Sequence, residues 1–453
     1  MSASNDRSEI VIIGGGIVGC AIFRRLSMLG LQPLLLEAGG DILSGASKGN
    51  SALLHTGFDA PPGSLELACM QAGYHEYLDI RDRLNLPLIE STALVVAWDE
   101  EQLTKLPGIV EKAHQNNVAD VREIDRMDLR QREPHLADHV LGAVLVPGEY
   151  IIDPWSAPLA YVQQGLAHGG RVHRRCKVLG GQSRDGHWHL ETTTGPVIAG
   201  CVINAAGNYA DLIETICRPS PFKVTPRKGQ FVVFDKPASK LAQAIILPVP
   251  TERTKGIVIC RTAFGNLLVG PTAEDQEDRA LAEVDHAILQ HLIDKGREMI
   301  PALAQQNVNA IYAGLRPATQ FKDYQIEALP DRRWITVAGI RSTGLTGALG
   351  IAQHVAELHR QHFGGGTMSE PIWTPVANLC EYRPRPYQTE AGTDIVCHCE
   401  WVTRQEVEAA LAGPFAAGDL GGLKRRTRCM MGRCQGFYCG AEVTRLAENA
   451  MTS

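Results

Sequence analysis

The sequence predicts an α/β fold, α+β overall, that ends in a small helical and cysteine-rich domain. Three observations lead to this prediction. Residues 9–37 contain an apolar strand, a glycine-rich turn, a helix and a second apolar strand. Residues 202–212 and 334–358 each contain an apolar strand that runs into a glycine turn and then a helix. Five of the twelve cysteines lie beyond residue 396, whereas the other seven are scattered singly.

The composition is that of a large globular protein. A chain of 453 residues, with 44% apolar and 21% charged residues, suggests two or three domains. The net charge of -6 offers no basic surface for nucleic acid. No apolar run approaches the ~18 residues of a membrane span. The polar N-terminus lacks the apolar core of a signal peptide. We therefore expect a cytoplasmic protein that does not bind nucleic acid.

The first element is a βαβ unit. Residues 9–13 predict a short buried strand, and Gly14, Gly16 and Gly19 follow it as G-x-G-x-x-G. These glycines let the backbone turn tightly and approach a pyrophosphate, while the helix N-terminus offers free N–H groups. Glu37 ends the second strand, where its carboxylate can accept hydrogen bonds from ribose hydroxyls. The unit predicts a Rossmann-like dinucleotide site, although it does not separate FAD from NAD.

The segments that follow favour FAD. Residues 44–65 form a loop rich in Ser, Gly and Asn directly after the second strand. Residues 334–358 predict a helix that starts near Gly344, Leu345 and Thr346. The N-terminus of this helix can approach the pyrimidine edge of a flavin, which gains negative charge on reduction.

The C-terminal region begins after a segment rich in Gly, Pro and polar residues. This segment, residues 364–394, predicts a linker or a wrapping segment. Thr403 and Glu406 form a capping box for a helix that should stop at Gly413. The last helix should start near Gly440.

The five terminal cysteines indicate a metal or iron–sulfur centre, because isolated structural cysteines would be scattered. They are Cys397, Cys399, Cys429, Cys434 and Cys439. Sites of four thiolates hold either zinc or an iron–sulfur cluster. A zinc ribbon would prefer two C-x-x-C pairs, whereas this chain begins with C-x-C.

Residues 8–365 resemble the FAD-dependent oxidoreductases of the D-amino acid oxidase and glycerol-3-phosphate dehydrogenase superfamily. The resemblance lies in "SKGNSALLHTGFDAPPGSL", "TKGIVICRTAFGNLLVGPTAED", "AGLRPAT" and "GIRSTGLT", which follow the family's order. The sequence looks closest to glycerol-3-phosphate dehydrogenases and oxidases and to L-2-hydroxyglutarate dehydrogenase.

The resemblance implies two discontinuous domains. An FAD-binding domain would comprise residues 1–85, 151–215 and 311–363. A substrate domain with a mostly antiparallel sheet would comprise residues 86–150 and 216–310. The implied FAD contacts are Gly14, Gly16, Ile17, Val18, Gly19, Glu37, Ala38, Ser47, Asn50, Ser51, Val178, Gly207, Gly344, Leu345 and Thr346.

Hydride transfer from an alcohol or amine to a flavin needs a proton acceptor and an anchor for the substrate's charge. The unperturbed pKa of a histidine suits proton abstraction near neutral pH, and the position of His55 in "LLH-x-G" implies the proton acceptor; a histidine bonded only to backbone is the alternative. Arg316 and Lys255 occupy positions that the family uses near the substrate, so both are catalytic and substrate-binding candidates. Glycerol-3-phosphate oxidases of this type look as though they carry an acid at the position of Arg341. The arginine here therefore adds positive charge to the substrate site.

Residues 395–453 resemble the [2Fe-2S] domain of the bacterioferritin-associated ferredoxin type. The same domain ends the large subunit of anaerobic glycerol-3-phosphate dehydrogenase. The resemblance assigns Cys397, Cys399, Cys434 and Cys439 as ligands and leaves Cys429 as a buried thiol or a neighbour of the cluster. The basic run that contains Lys424, Arg425, Arg426 and Arg428 would offset the cluster's negative charge or form a solvated turn.

These features predict a dehydrogenase that contains FAD and a [2Fe-2S] cluster and oxidises a small anionic alcohol, with sn-glycerol 3-phosphate as first candidate. The alternatives are L-2-hydroxyglutarate or another 2-hydroxy acid, an amino acid or opine, and a redox-sensing or electron-transfer flavoprotein without turnover. The expected partner is an electron-acceptor protein or a membrane-associated subunit. Such a subunit would hold the enzyme peripherally at the inner membrane.

Overall fold

A computed structural model describes residues 6–250 and 256–451, with side chains up to residue 448. Within these ranges, no helix has the length and apolar character needed to cross a membrane. The α-helices are Ile17–Met28, Leu65–Leu84, Glu100–Leu103, Leu106–Gln115, Arg126–Arg132, Ser156–Ala167, Ala210–Cys217, His286–Met299, Gly344–His362, Pro386–Thr389, Arg404–Ala412, Leu420–Thr427 and Gly440–Met451.

The first sheet is mixed and has eight strands. The strand Asp6–Ile13 is central and parallel to both of its neighbours, Leu34–Leu36 and Val197–Asn204. The predicted βαβ unit is therefore confirmed, and the helix Gly344–His362 packs against its helix Ile17–Met28. The other strands are Arg171–His173, Val178–Arg184, His187–Thr192, Gln325–Leu329 and Trp334–Ala338.

The second sheet has nine strands and is mostly antiparallel. Its strands are Ala93–Ala97, Arg122–Asp125, Gly142–Val146, Val224–Phe234, Ile245–Pro248, Val258–Arg261, Leu267–Gly270, Glu274–Asp275 and Val308–Thr319. Val308–Thr319 pairs along its length with Val224–Phe234. The predicted domain boundary at residue 311 therefore cuts through a strand of this sheet. The apolar pattern indicates a strand but does not specify which sheet the strand joins.

The loop of residues 44–65 contributes one strand to a small three-stranded sheet. Leu53–Leu54 and Leu88–Ile89 both pair antiparallel with Tyr150–Ile152. The register places Leu54 opposite Tyr150. This register brings His55, which follows Leu54, next to Glu149, which precedes Tyr150.

Residues 364–394 cross the surface of the first 365 residues with little regular structure. Backbone N–H groups of Ser369, Val376 and Glu381 donate to carbonyls of Met28, Leu84 and Ala263, respectively. Cys380 is fully buried. These contacts support the wrapping segment over a free linker. The seven scattered cysteines are all buried free thiols.

The C-terminal region is small and mainly helical. Ile395–Cys397 and Val402–Thr403 form a two-stranded sheet ahead of its helices. The capping box is confirmed: Thr403 Oγ1 accepts from the Glu406 N–H at 3.2 Å, and the Glu406 carboxylate accepts from the Thr403 N–H at 2.8 Å. The helix Arg404–Ala412 ends before Gly413, as predicted.

Candidate active site and cysteine cluster

The glycine turn after Asp6–Ile13 accepts only glycine at two positions. Gly14 has a φ of +113°, and a Cβ there would lie 2.4 Å from the Ala205 carbonyl oxygen. A Cβ on Gly19 would lie 1.9 Å from the Gly14 carbonyl oxygen. The turn is therefore built for close backbone approach, and the first helix begins at Ile17 with its N–H donating to Ser47 Oγ at 3.0 Å.

Glu37 is fixed against this turn. Its carboxylate accepts hydrogen bonds from the Gly15 N–H at 2.7 Å, the Gly39 N–H at 2.6 Å and the Ser44 hydroxyl at 2.7 Å. Ala38 follows it in the same loop. These three donors hold the carboxylate at the end of the second strand, where the sequence predicts the ribose.

A cleft opens over the N-terminus of the helix Ile17–Met28, between the two large sheets. The second helix that starts at this cleft is Gly344–His362, so two positive helix ends face one space. Phe231 and Val337 contribute apolar lining. Nine residues predicted to contact FAD line the cleft: Gly16, Ile17, Val18, Ser47, Asn50, Ser51, Gly207, Gly344 and Leu345.

The other predicted FAD contacts lie around the cleft rather than in its lining. Gly14, Gly19, Glu37 and Ala38 belong to the glycine turn and its neighbouring loop. Thr346 follows the lining residue Leu345, and its Oγ1 accepts from the His55 N–H at 3.1 Å. Val178 begins a strand of the first sheet, and its buried side chain packs in the apolar core beside that turn. The role of each residue toward FAD remains a prediction.

Arg316 lines the cleft and is held by backbone oxygens. Its guanidinium donates to the carbonyls of Thr272 at 2.6 Å and of Arg227 and Lys228 at 3.3 Å. Among the described residues, no carboxylate oxygen lies within 4.0 Å of a guanidinium nitrogen of Arg316. Burial, and then the charge of Arg227, lower the pKa of Arg316 to about 10, so it stays a cation near neutral pH. A half-buried cation without a carboxylate partner suits an anionic ligand.

Arg341 lines the same cleft as Arg316. Its Nη2 donates to the Lys322 carbonyl. The structure thus brings two of the three predicted basic anchors together. The third, Lys255, lies outside the described residues.

His55 and Glu149 form a pair that the sequence did not reveal. The three-stranded sheet places them side by side, with His55 Nδ1 2.6 Å from Glu149 Oε2. The fully buried Glu149 also accepts from the Thr56 N–H at 2.6 Å and its hydroxyl at 2.9 Å. With Nδ1 donating to the carboxylate, a neutral imidazole carries its lone pair on Nε2. The pair therefore has the base-and-orienting-acid arrangement of general-base catalysis.

The five terminal cysteines gather into one group. The Cys397 thiol lies next to those of Cys429 and Cys439, and the Cys399 thiol lies next to that of Cys434. The neighbouring Cys429 thiol has the largest of the effects that lower the pKa of Cys397 to about 5. Cys429 is fully buried, and its thiol lies next to that of Cys397. It is therefore both a buried thiol and a neighbour of the predicted ligands.

The four predicted ligands form two neighbouring pairs, Cys397 with Cys439 and Cys399 with Cys434. Across the described residues, no three His, Cys, Asp or Glu side chains are placed to hold one metal ion. The predicted ligands instead form two pairs, and a [2Fe-2S] cluster takes four thiolates. Backbone N–H groups beside the four sulfurs act to lower the pKa values of these thiols, which favours thiolates. These N–H groups belong to Glu400, Met430, Cys434, Gly436 and Tyr438.

The basic run before Cys429 is not a solvated turn. Arg426 forms an ion pair with Asp41, with Nη1 2.5 Å from Oδ2. Arg428 pairs with Glu400 at 3.0 Å, and its guanidinium lies 4.0 Å from the centre of the Phe264 ring. Two of these side chains therefore attach the C-terminal region to the rest of the protein rather than facing water.

Two family models match the chain. Residues 9–358 match the FAD dependent oxidoreductase family, DAO. Residues 395–449 match the BFD-like [2Fe-2S] binding domain. The two matches correspond to the cleft-bearing part of the structure and to the cysteine-rich region.

Relatives of known activity cover most of the chain. A glycerol 3-phosphate dehydrogenase from Caloramator mitchellensis is 28% identical and covers 96% of this chain and 92% of its own length. A glycerol 3-phosphate oxidase from Mycoplasma pneumoniae is 28% identical over 83% of this chain and 99% of its own. Human L-2-hydroxyglutarate dehydrogenase is 28% identical over 60% of this chain and 62% of its own.

The fold also matches a solved flavoenzyme. The dithionite-reduced L-alpha-glycerophosphate oxidase from Mycoplasma pneumoniae, solved with FAD bound, has a TM-score of 0.75 and 26% identity, covering 81% of this chain and 97% of that structure. The glycine turn, the cleft and the paired cysteines fit the two cofactors of the matched families. The chain therefore belongs to the FAD dependent oxidoreductase family and carries a C-terminal BFD-like [2Fe-2S] domain.

Proposed function

We propose that this enzyme oxidises sn-glycerol 3-phosphate and passes the electrons through its [2Fe-2S] cluster to an external acceptor. The observation that carries the proposal is Arg316, a half-buried cation in the cleft whose hydrogen bonds within the described part of the chain all go to backbone carbonyls. A phosphate would supply the missing negative charge. The nearly full-length similarity to a glycerol 3-phosphate dehydrogenase supports the same substrate.

The residues divide the chemistry between them. Arg316 and Arg341 hold the substrate's anionic group, with Lys255 assisting. His55 accepts the proton of the substrate hydroxyl on Nε2, while Glu149 keeps the ring oriented and stabilises the imidazolium. The bound flavin supplies the hydride acceptor.

The cysteine-rich domain favours a dehydrogenase over an oxidase. A flavin takes two electrons from the substrate at once, whereas a [2Fe-2S] cluster accepts them singly. An enzyme that carries such a cluster has a route to an acceptor other than oxygen. We infer that this acceptor is a protein or a membrane-associated subunit.

A second candidate substrate is a 2-hydroxy acid such as L-2-hydroxyglutarate. Arg341 favours it, because a second guanidinium in the cleft would suit a second carboxylate. An amino acid or an opine would use the same anchors. A redox sensor without turnover would need neither Arg316 nor the His55–Glu149 pair.

An anaerobic substrate screen tests the proposal. Under argon, the purified enzyme is mixed with phosphorylated polyols, 2-hydroxy acids and amino acids, and the flavin absorbance is followed. We expect sn-glycerol 3-phosphate to bleach the flavin fastest. Faster bleaching by a dicarboxylate would transfer the proposal to the 2-hydroxy acid, and no bleaching by any of these compounds would favour the sensor.

Arg316→Lys should raise the Michaelis constant by roughly tenfold or more, because a lysine keeps the charge but loses the planar donors of a guanidinium. Steady-state kinetics with a dye acceptor measure this change. Arg227→Lys is the matched control, since the Arg227 side chain pairs with Asp275 at 2.7 Å on the neighbouring strand. Equal effects of the two substitutions would argue against an anchoring role for Arg316.

Arg341→Gln separates the two candidate substrates. If Arg341 binds a second acidic group, the substitution should weaken L-2-hydroxyglutarate more than sn-glycerol 3-phosphate, since only the dicarboxylate loses a partner. The ratio of kcat/KM for the two substrates, before and after substitution, is the measurement. An unchanged ratio would leave Arg341 as a general positive charge at the cleft.

A further inference from the structure

The loop of residues 38–44 contacts the dinucleotide turn on one side. The Leu43 N–H donates to the Gly15 carbonyl at 2.9 Å. Gly39 and Ser44 donate to Glu37, whose other oxygen accepts from Gly15. The position of this loop therefore sets the position of the carboxylate predicted to bind the ribose of FAD.

The same loop contacts the C-terminal domain on its other side. Asp41 is fully buried, and its carboxylate accepts from Arg426 at 2.5 and 3.0 Å and from the Gly418 N–H at 3.0 Å. Arg425 donates to the Ile42 carbonyl at 2.8 Å. Another cation near Asp41 is Arg174, with Nη1 3.9 Å from Oδ1, so loss of Arg426 would leave the buried carboxylate with a more distant cation, which is destabilising.

The two segments are in direct contact without intervening space. A Cβ on Gly422 would lie 1.8 Å from Asp41 Oδ2, and one on Gly418 would lie 2.1 Å from the Gly40 carbonyl oxygen. Arg175, next to the first sheet, donates to the Gly418 carbonyl at 2.7 Å. A displacement of the C-terminal segment must therefore displace the loop.

The helix that carries Arg426 shares its core with the cluster ligands. Leu423, on the helix Leu420–Thr427, packs in the same hydrophobic core as Cys397 and Cys439. In small metal-binding domains, the free energy of metal binding is also free energy of folding. The iron–sulfur cluster should therefore hold this helix, and with it Arg426, in place.

We propose that the helix Leu420–Thr427 couples the two cofactor sites. Cluster binding keeps Arg426 on Asp41, and Asp41 keeps the loop in the geometry that FAD binding needs. Loss of the cluster therefore weakens FAD binding, and bound FAD in turn strengthens cluster binding by the same factor, because such coupling is reciprocal. Because the helix must move when the cluster is released, bound FAD should also slow cluster loss. An enzyme that has lost its [2Fe-2S] cluster therefore also binds its flavin less tightly. The proposal does not depend on the substrate.

The first test compares FAD affinity with and without the cluster. FAD titrations, followed by quenching of flavin fluorescence, give dissociation constants for the wild-type protein and for Cys434→Ser. We expect the variant to bind FAD roughly 5- to 150-fold more weakly, the usual range of coupling between sites. Equal dissociation constants would overturn the proposal.

The second test uses the wild-type protein alone. An iron chelator removes the cluster under argon, and the visible absorbance follows its loss with and without saturating FAD. We expect FAD to slow the loss. An identical rate in both conditions would show that FAD does not hold the helix that carries Arg426 in place, and would contradict the proposal.

The third test locates the coupling. Arg426→Gln should weaken FAD binding while the cluster is still present, and adding Cys434→Ser to it should cause little further loss. Arg445→Gln is the control, because Arg445 pairs with Glu442 on the exposed face of the same domain. Additive effects of Arg426→Gln and Cys434→Ser, or a loss of FAD affinity in the control as large as in Arg426→Gln, would show that the coupling does not pass through Asp41.

Discussion

Replacing His55 with alanine should lower the rate of flavin reduction by substrate by roughly 10²- to 10⁴-fold, the range for loss of a positioned general base. A buried carboxylate orients the imidazole, with Nδ1 2.6 Å from Glu149 Oε2. Anaerobic stopped-flow absorbance measures the rate. FAD should remain bound. Thr346, a predicted FAD contact, is bonded to the His55 backbone N–H, which the substitution leaves in place, and not to the ring.

Glu149→Gln provides the companion variant. A glutamine has one carbonyl oxygen, so it can accept from the imidazole N–H or from Thr56 but not from both, and it carries no charge to stabilise an imidazolium. The rate should fall, and by less than in His55→Ala. If His55→Ala reduces flavin at the wild-type rate at neutral pH, the pair has a structural role only.

Replacing Cys434 with serine should abolish cluster binding, whereas the same substitution at Cys429 should preserve it. Cys434 belongs to one of the two cysteine pairs, and Cys429 is the additional thiol next to that of Cys397. Wild-type protein handled without oxygen should contain about two irons per chain with acid-labile sulfide. Iron and sulfide analysis of the three proteins makes the measurement.

The same variants test the electron route. With FAD in excess, Cys434→Ser should still reduce its flavin with substrate but should fail to reduce a one-electron acceptor protein. The opposite pattern of cluster loss, in Cys429→Ser and not in Cys434→Ser, would mean that the ligands are assigned wrongly. Stoichiometric zinc in place of iron would remove the basis of the electron route.

The sequence predicted those features that are determined within short stretches of chain. The turn at Gly14 and Gly19 needs glycine because any Cβ would meet the backbone, so its pattern is visible in the letters alone. The box formed by Thr403 and Glu406 is equally local, because the two residues bond to each other across one helical turn. Such elements keep their structure in many tertiary contexts.

Long-range pairs could not be predicted. Glu149 lies 94 residues from His55, and Asp41 lies 385 residues from Arg426. A single glutamate or aspartate carries no pattern of its own, and its partner depends on sheet register and domain packing. For the same reason the sequence left open whether the basic run would face water, and it assigned part of Val308–Thr319 to the FAD-binding domain.

The most direct test of the proposed function is an anaerobic single-turnover experiment with sn-glycerol 3-phosphate. The fully loaded enzyme is mixed with substrate under argon, flavin absorbance is followed, and samples are frozen for electron paramagnetic resonance. The proposal predicts that the flavin bleaches first and that the signal of the reduced [2Fe-2S] cluster then appears. A flavin that stays oxidised in the presence of this substrate, or one that bleaches while the cluster signal never develops, would contradict it.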